Sequence, residues 1–187
     1  MRPAIFLDRD DTLIENRDLP WSEIGTPQGD LCNPAYVRLL PGVRDACERL
    51  VNAGFVLVVV SNQGLVARGV GTLADVTRTN ERLLALLTPE PSGRPLIERV
   101  YVCPYHPKGT VPPYNVEHPL RKPAPGMILQ ATEELGLHLA RSWLVGDAPR
   151  DIEAGRAAGI DPARCLLVGP GRELPDLRAA TRVILGA

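Results

Sequence analysis

The chain alternates between short apolar runs and segments in which apolar residues follow a helical spacing. Six runs rich in β-branched and other apolar residues lie at 3–8, 55–62, 99–103, 142–147, 164–169 and 182–185. These runs are too continuous for strands with one face in water and are typical of buried parallel strands. We therefore predict a strand in each run.

Apolar residues three and four positions apart predict helices in the intervening segments 42–54, 72–87, 124–136 and 149–159. Strand and helix alternate along the chain, which predicts an α/β fold: a doubly wound, Rossmann-like parallel sheet between two helical layers. Two long segments without periodicity, 16–36 and 104–119, are expected to be functional or mobile loops.

Length and composition limit the classes of protein to which the chain can belong. The 187 residues fit a single domain over residues 1–187, without a separate cap domain. Lys and Arg number 21 and Asp and Glu 22, so the net charge of -1 offers no field to gather nucleic acid or an anionic membrane. The longest apolar run is too short to cross a bilayer, and four scattered cysteines are typical of reduced thiols. We therefore expect a cytoplasmic protein with no nucleic-acid or membrane partner.

Polar side chains stand at the ends of three predicted strands, at the edge where open α/β sheets bind ligands. Asp8 and Asp10 follow the first strand, Ser61 and Asn62 end the second, and Asp147 ends the fourth. Carboxylates crowded at one edge are costly unless a cation joins them. Mg²⁺ prefers one or two carboxylates, waters and a substrate phosphate oxygen, so we predict a Mg²⁺ site that includes Asp8 and Asp147.

Such an edge supports phosphoryl transfer through an aspartyl-phosphate. Asp8 is placed to attack phosphorus, and Asp10 to protonate the leaving oxygen and later activate water. Ser61 would hold phosphoryl oxygens through its hydroxyl, and Lys122, just before a predicted helix, through its ammonium group. The sequence therefore predicts a Mg²⁺-dependent phosphomonoesterase.

Each candidate also has a structural interpretation. Asp8 and Asp10 are also typical of a turn, and Ser61 and Asn62 are also typical of the end of a strand. Lys122 would ordinarily lie on the solvent-exposed surface. Asp147 would suit a helix N-cap, a role that can coexist with metal binding. Asp151 lies one helical turn further on, where the helix dipole favours an acid; we expect it to contact metal-bound waters rather than the metal.

The chain resembles the haloacid dehalogenase-like (HAD) phosphohydrolases in four ordered motifs: FLDRDDTL at 6–13, VVVSNQ at 58–63, RKPAPGM at 121–127 and LVGDAPRDIEAG at 144–155. The neighbouring sequence CPYHP at 103–107 is similar to one branch of that family. This branch contains the capless D,D-heptose 1,7-bisphosphate 7-phosphatases and the related histidinol-phosphate phosphatases.

The resemblance implies that Asp8 is the nucleophile and Asp10 the acid/base whose backbone carbonyl also binds Mg²⁺. The other roles that it implies are phosphate binding by Ser61, Asn62 and Lys122, Mg²⁺ binding by Asp147, and substrate contact by Arg68 and Arg121. It also implies a monomer that acts on a small phosphorylated metabolite.

The first motif departs from the family pattern at one position. Asp11 stands where a glycine usually follows the second aspartate. Aspartate tolerates left-handed backbone better than most residues, so we expect the turn to survive with the Asp11 side chain pointing outward.

The branch also holds a structural zinc between a Cys-x-His pair and a Cys-x-Cys pair, and this chain lacks most of those ligands. Cys103 is present, but leucine replaces the last cysteine of the pattern. Cys103, His106 and His118 are the residual candidates. Structural zinc sites nearly always have four protein ligands, so zinc is not expected.

The leading hypothesis is hydrolysis of the 7-phosphate of D-glycero-D-manno-heptose 1,7-bisphosphate. Histidinol phosphate, or another small metabolite, is the alternative substrate. A noncatalytic phosphate-binding or phosphoreceiver domain is the alternative of another class, since receivers also gather aspartates at strand ends. Receivers, however, need no acid/base two residues after the phosphorylated aspartate.

Overall fold

The computed structural model describes residues 1–90 and 93–186, so that residues 91, 92 and 187 of the predicted domain lie outside the description. Its described residues form a five-stranded, fully parallel sheet with the order β3-β2-β1-β4-β5. The strands are β1 Ala4–Leu7, β2 Val56–Asn62, β3 Ile97–Cys103, β4 Trp143–Gly146 and β5 Cys165–Leu167. The first strand is central because both β2 and β4 pair with it.

Six α-helices lie between or after the strands in the described part of the chain. They are α1 Trp21–Ile24, α2 Val43–Asn52, α3 Leu73–Leu86, α4 Gly126–Leu135, α5 Pro149–Ala158 and α6 Leu177–Leu185. The first of these is a single turn inside the long segment 16–36, which also contains a 3₁₀ turn at Pro34–Tyr36. No helix among the described residues has both the length and the apolar character needed to span a membrane.

Alternate side chains of β1 enter two separate apolar cores. Ile5 and Leu7 pack in a core with residues of α2, α3 and α6, whereas Ala4 and Phe6 pack in a second core with residues of α4 and α5. Both faces of the sheet are thus covered, which is why its strands read as continuous apolar runs. The predicted three-layer α/β fold is confirmed; the single-domain assignment stays a prediction.

The strand predicted at 182–185 is wrong, because these residues are the last turn of α6. The Asp176 side chain caps this helix by accepting a hydrogen bond from the Ala179 amide. Along the helix, Leu177 and Ala180 face the core while Val183 is 47% exposed, which is the pattern of an amphipathic helix. A run of four apolar residues is too short to separate the two periodicities.

The register places the predicted site residues at one edge. Leu7 pairs with Val59 on one side and with Val145 on the other, so the residues that follow β1, β2 and β4 emerge at neighbouring positions. Parallel strands end at the same edge of a sheet, which is the ligand-binding edge in this architecture. Segments far apart in the sequence therefore meet there.

Replacing Asp176 with alanine is expected to lower the free energy of unfolding by about 1 kcal/mol, because the Ala179 amide loses its side-chain acceptor. Chemical denaturation measures the change. Glu173→Ala, an exposed acid three residues earlier, is the matched control and should leave stability within about 0.5 kcal/mol. An equal effect of both substitutions would contradict the capping role.

Candidate active site

The site is centred on a buried lysine between two aspartates. Lys122 is 2% exposed, and its Nζ lies 2.5 Å from Asp8 Oδ1, 2.7 Å from Asp151 Oδ1 and 2.7 Å from the Val60 carbonyl oxygen. A buried ammonium group needs such partners, since its hydration is lost. The interpretation of Lys122 as a surface lysine is therefore wrong.

Asp8, Asp147 and Asp151 each offer a carboxylate oxygen within 4.8 Å of the others. Across residues 1–90 and 93–186, they are the one group of three or more acidic, histidine or cysteine side chains close enough to share a metal ion. Asp151 is 1% exposed, and its second oxygen accepts a hydrogen bond from the Ala148 amide at the start of α5. It therefore serves as a helix-capping acid as well as a partner of Lys122.

The carboxylates of this cluster are short of positive charge. Burial raises the pKa of Asp8 from 3.8 to about 7 despite the opposing effect of Lys122, and Asp151 and Asp10 add to the rise. Burial likewise raises the pKa of Asp147 to about 6, with a further contribution from Asp151. A hard divalent cation would relieve this repulsion, so an oxygen-ligated metal fits the residues present.

The two polar residues that end β2 have different partners. Ser61 is buried, and its Oγ accepts a hydrogen bond of 2.8 Å from Gln63 Nε2. Asn62 donates from Nδ2 to the Lys122 carbonyl and accepts from the Lys122 amide at Oδ1. The Asn62 side chain thus fixes the backbone that carries Lys122.

Asp10 lies beside the cluster, with its carboxylate held by Arg9 and Gln63. The sequence interpretation missed Arg9, Gln63 and Asn80, three buried residues that form one hydrogen-bonded group with Asp10. Arg9 stands between the two motif aspartates and Gln63 directly follows Ser-Asn in the second motif. Their position in the motifs was the available signal, but their contacts depend on the tertiary structure.

Comparison with known proteins places this geometry in a family. A HAD-hydrolase-like family model matches residues 119–183. The chain is 37% identical over 158 residues to the D-glycero-β-D-manno-heptose-1,7-bisphosphate 7-phosphatase of Mesorhizobium japonicum, covering 84% of this chain and 66% of that protein. It is 35% identical over 186 residues to the protein of that name from Escherichia coli K12, and the match covers 99% of this chain and 89% of that protein. The chain belongs to the HAD-like phosphatase family.

A solved structure agrees with this assignment. The D,D-heptose 1,7-bisphosphate phosphatase from B. bronchiseptica, complexed with magnesium and phosphate, matches with a TM-score of 0.76 and 25% identity over 98% of each chain. The resemblance expected from the four motifs is confirmed, and so is the prediction of a phosphatase.

A polar cavity of about 270 Å³ adjoins the cluster in this HAD-like phosphatase. Its lining includes Arg68, Arg121, Arg150, His106 and Asp30. Both predicted substrate-contacting arginines, Arg68 and Arg121, therefore face one cavity. A Cβ on Gly64 would lie 3.0–3.3 Å from side-chain atoms of His106, Arg68 and Arg121, so the absence of a side chain there lets these groups converge.

The cavity carries more positive than negative charge. Burial lowers the pKa of Arg121, and the neighbouring Arg150 and Arg68 lower it further. Burial, Arg121 and Arg68 likewise lower the pKa of His106. Asp30 forms an ion pair with Arg68, whereas Arg121 and Arg150 form no ion pair among the described residues. The cavity is suited to an anion.

Asp11 adopts the expected left-handed conformation, with φ of 58°. Its side chain does not simply face solvent: Oδ1 accepts hydrogen bonds from the Asn16 and Arg17 amides, and the side chain is 19% exposed. Arg17 in turn lies 3.2 Å from Asp147 Oδ2. Asp11 therefore ties the start of the segment 16–36 to the acidic edge.

The residual zinc candidates are engaged in other contacts. The Cys103 thiol lies 3.9 Å from the Tyr105 carbonyl oxygen, and His106 Nδ1 accepts from the Lys108 amide. The His118 ring stacks on Tyr105, with ring centroids 3.8 Å apart. In the part of the chain that the structure describes, these three candidates do not form a group able to share a metal ion.

The raised pKa values of Asp8 and Asp147 predict a pH dependence of stability. Between about pH 4 and pH 7 these two carboxyl groups hold more protons in the folded, metal-free chain than in the unfolded chain, so their contribution to the free energy of unfolding should fall as pH rises. Mg²⁺ binds ionised carboxylates, so the stabilisation it gives should increase over the same interval. Urea denaturation with EDTA or with Mg²⁺ measures both trends.

Asp147→Asn should flatten the pH dependence in EDTA, because one of the two titrating groups is removed. Asp45→Asn, an exposed acid on α2, is the matched control and should not change it. A pH dependence in EDTA that Asp147→Asn leaves unchanged would contradict the raised pKa of Asp147.

Proposed function

We propose that this HAD-like phosphatase uses Mg²⁺ to remove the 7-phosphate of D-glycero-D-manno-heptose 1,7-bisphosphate through an aspartyl-phosphate. The observation that carries the proposal is the convergence of Asp8, Asp147, Asp151 and Lys122 at the edge of the sheet. The relatives named for this substrate and the solved structure holding magnesium and phosphate support it. Family membership favours a phosphatase over a phosphoreceiver.

Asp8 would hold Mg²⁺ together with Asp147 and the Asp10 carbonyl, with Asp151 contacting its waters. When bound, Mg²⁺ supplies the positive charge that lets an anionic carboxylate approach an anionic phosphate. Lys122 offers its ammonium group beside Asp8, and the Ser61 hydroxyl would bind another phosphoryl oxygen.

The reaction has two steps, formation of the aspartyl-phosphate and its hydrolysis. The Asp8 carboxylate forms a bond to phosphorus as the bond to the C7 oxygen breaks, and Asp10 donates a proton to that oxygen. Asp10 then takes a proton from water, which attacks the acyl phosphate. The bond between phosphorus and Asp8 breaks, and inorganic phosphate is released with Asp8 regenerated.

The arginine-lined cavity favours a bisphosphate over the alternative substrate. A second phosphate group would place negative charge among Arg68, Arg121 and Arg150, where guanidinium groups are well matched to phosphate oxygens. Histidinol phosphate instead carries an amine, which is cationic at neutral pH and would be repelled there. The expected partner is thus a small phosphorylated sugar, while monomeric state and cytoplasmic location stay predictions.

A panel of phosphorylated metabolites, assayed with and without Mg²⁺, tests the substrate. The heptose bisphosphate should give the highest kcat/KM, and EDTA should abolish turnover. Asp8→Asn should reduce kcat by at least about a thousandfold without loss of the folded state, because the amide cannot form the acyl phosphate. Preference for histidinol phosphate over every sugar bisphosphate would overturn the substrate assignment, and turnover by Asp8→Asn at the wild-type rate would overturn the mechanism.

Arg150→Gln tests the second phosphate site. We expect KM for the bisphosphate to rise about tenfold with a smaller change for the heptose 7-monophosphate, because the lost charge-assisted contact involves the other phosphate. Arg156→Gln, an exposed arginine on the same helix, is the matched control. Equal changes for both substrates would place Arg150 outside that contact.

A further inference from the structure

Arg9 is a charged side chain enclosed by protein next to the acid/base residue. It is 1% exposed, and its guanidinium group donates to both carboxylate oxygens of Asp10 over 3.0–3.1 Å. Nη1 donates to Asn80 Oδ1 at 2.9 Å, and Nη2, which also contacts Asp10, donates to Gln63 Oε1 at 3.0 Å. This planar group therefore faces acceptors from the end of β1, the end of β2 and helix α3.

Gln63 joins the acid/base carboxylate to the phosphate-binding hydroxyl. Its Nε2 donates to Asp10 Oδ2 at 3.0 Å and to Ser61 Oγ at 2.8 Å, while its Oε1 accepts from Arg9. Every polar atom of this buried amide is thus engaged. Because Ser61 Oγ accepts from Gln63, its own proton is left for a phosphate oxygen.

Asn80 anchors the group to the rest of the fold. It lies on α3, a helix that begins with a capping box between Thr72 and Asp75. The Asn80 side chain meets the Arg9 guanidinium across 71 positions of sequence. The orientation of Arg9 is therefore set by three elements of the fold rather than by its own flexible chain.

We propose that Arg9 and Gln63 are positioning residues that fix the Asp10 carboxylate and the Ser61 hydroxyl relative to each other. The inference rests on the proposed roles of Asp10 and Ser61. Hydrogen bonds to both Asp10 oxygens restrict rotation of its carboxylate, and an acid/base held in position accelerates proton transfer more than a mobile one. Gln63 makes the geometry of proton transfer depend on the geometry of phosphate binding.

The dependence of kcat/KM on leaving-group acidity distinguishes this positioning role from a general effect on folding. An alkoxide leaving group needs a proton from Asp10, whereas p-nitrophenolate is stable without one. The two esters p-nitrobenzyl phosphate and p-nitrophenyl phosphate are a matched pair, because they differ by one methylene group. Their kcat/KM reports events up to formation of the aspartyl-phosphate, and so it isolates the acid step.

Gln63→Met removes the amide at similar volume and is the principal variant. We expect its kcat/KM to fall at least about tenfold more for the benzyl ester than for the phenyl ester. Arg9→Lys, which keeps the charge but loses the planar fork, should show the same selectivity. Gln130→Met, an exposed glutamine on α4, is the control and should match wild type. Thermal melting establishes that each variant is folded.

Affinity for inorganic phosphate in the presence of Mg²⁺ provides a readout without turnover. Calorimetric titration should show weaker phosphate binding by Gln63→Met, since the Ser61 hydroxyl loses its orienting donor, and unchanged binding by Gln130→Met. Equal losses on both esters together with unaltered phosphate affinity would overturn the proposal. If wild type turned over neither ester, unaltered phosphate affinity in folded Gln63→Met would overturn it alone. Failure of the proposed function would appear separately, as an inability of wild type to hydrolyse the heptose bisphosphate.

Discussion

The buried ion pairs of Lys122 with Asp8 and Asp151 are the interactions on which the site depends. One ammonium group, 2% exposed, lies between a carboxylate after the central strand and a carboxylate on α5. Removing Lys122 would leave two buried carboxylates without their shared cation, and the loss of a buried partner of this kind costs about 3–5 kcal/mol. The same contact holds the proposed phosphate-binding cation beside the proposed nucleophile, so stability and the proposed chemistry share one constraint.

Two regions of opposite charge adjoin at this edge of the sheet. The carboxylates of Asp8, Asp147 and Asp151 favour a metal cation, whereas the cavity lined by Arg68, Arg121 and Arg150 favours an anion. The segment that ends β2 contacts both, since Asn62 and Gln63 line the cavity and the Val60 carbonyl accepts a hydrogen bond from Lys122. In the proposed function, one phosphate of the substrate would approach the metal held by the first region and the other would lie in the second.

The segment 104–119 contains a group of aromatic contacts. Tyr105 stacks on His118 and lies 5.5 Å from the Tyr114 ring centre. The Tyr105 carbonyl accepts a hydrogen bond from Arg121 Nη1. Aromatic contacts in this segment are therefore connected directly to a cavity-lining arginine.

The sequence alone predicted the sheet, the family and the residues of the acidic edge. These features follow from local patterns: continuous apolar runs identify buried strands, and polar residues at strand ends identify the ligand-binding edge. Asp8 and Asp147 could be named because each lies in a recognisable motif at such an end, and Lys122 because its motif lies just before a helix. Local pattern failed at 182–185, where one helical turn and a short strand look alike.

Tertiary structure decided which side chains meet and what charge each one faces. Arg9 contacts Asn80, 71 positions away, and Lys122 contacts Asp8, 114 positions away. Such pairs depend on strand order and register, which bring distant segments to one point. Burial also depends on the tertiary structure. It holds the Arg9 guanidinium in one orientation and raises the pKa of Asp8 to about 7. Sequence thus specified the chemical groups, while the packed fold set their geometry and their electrostatic environment.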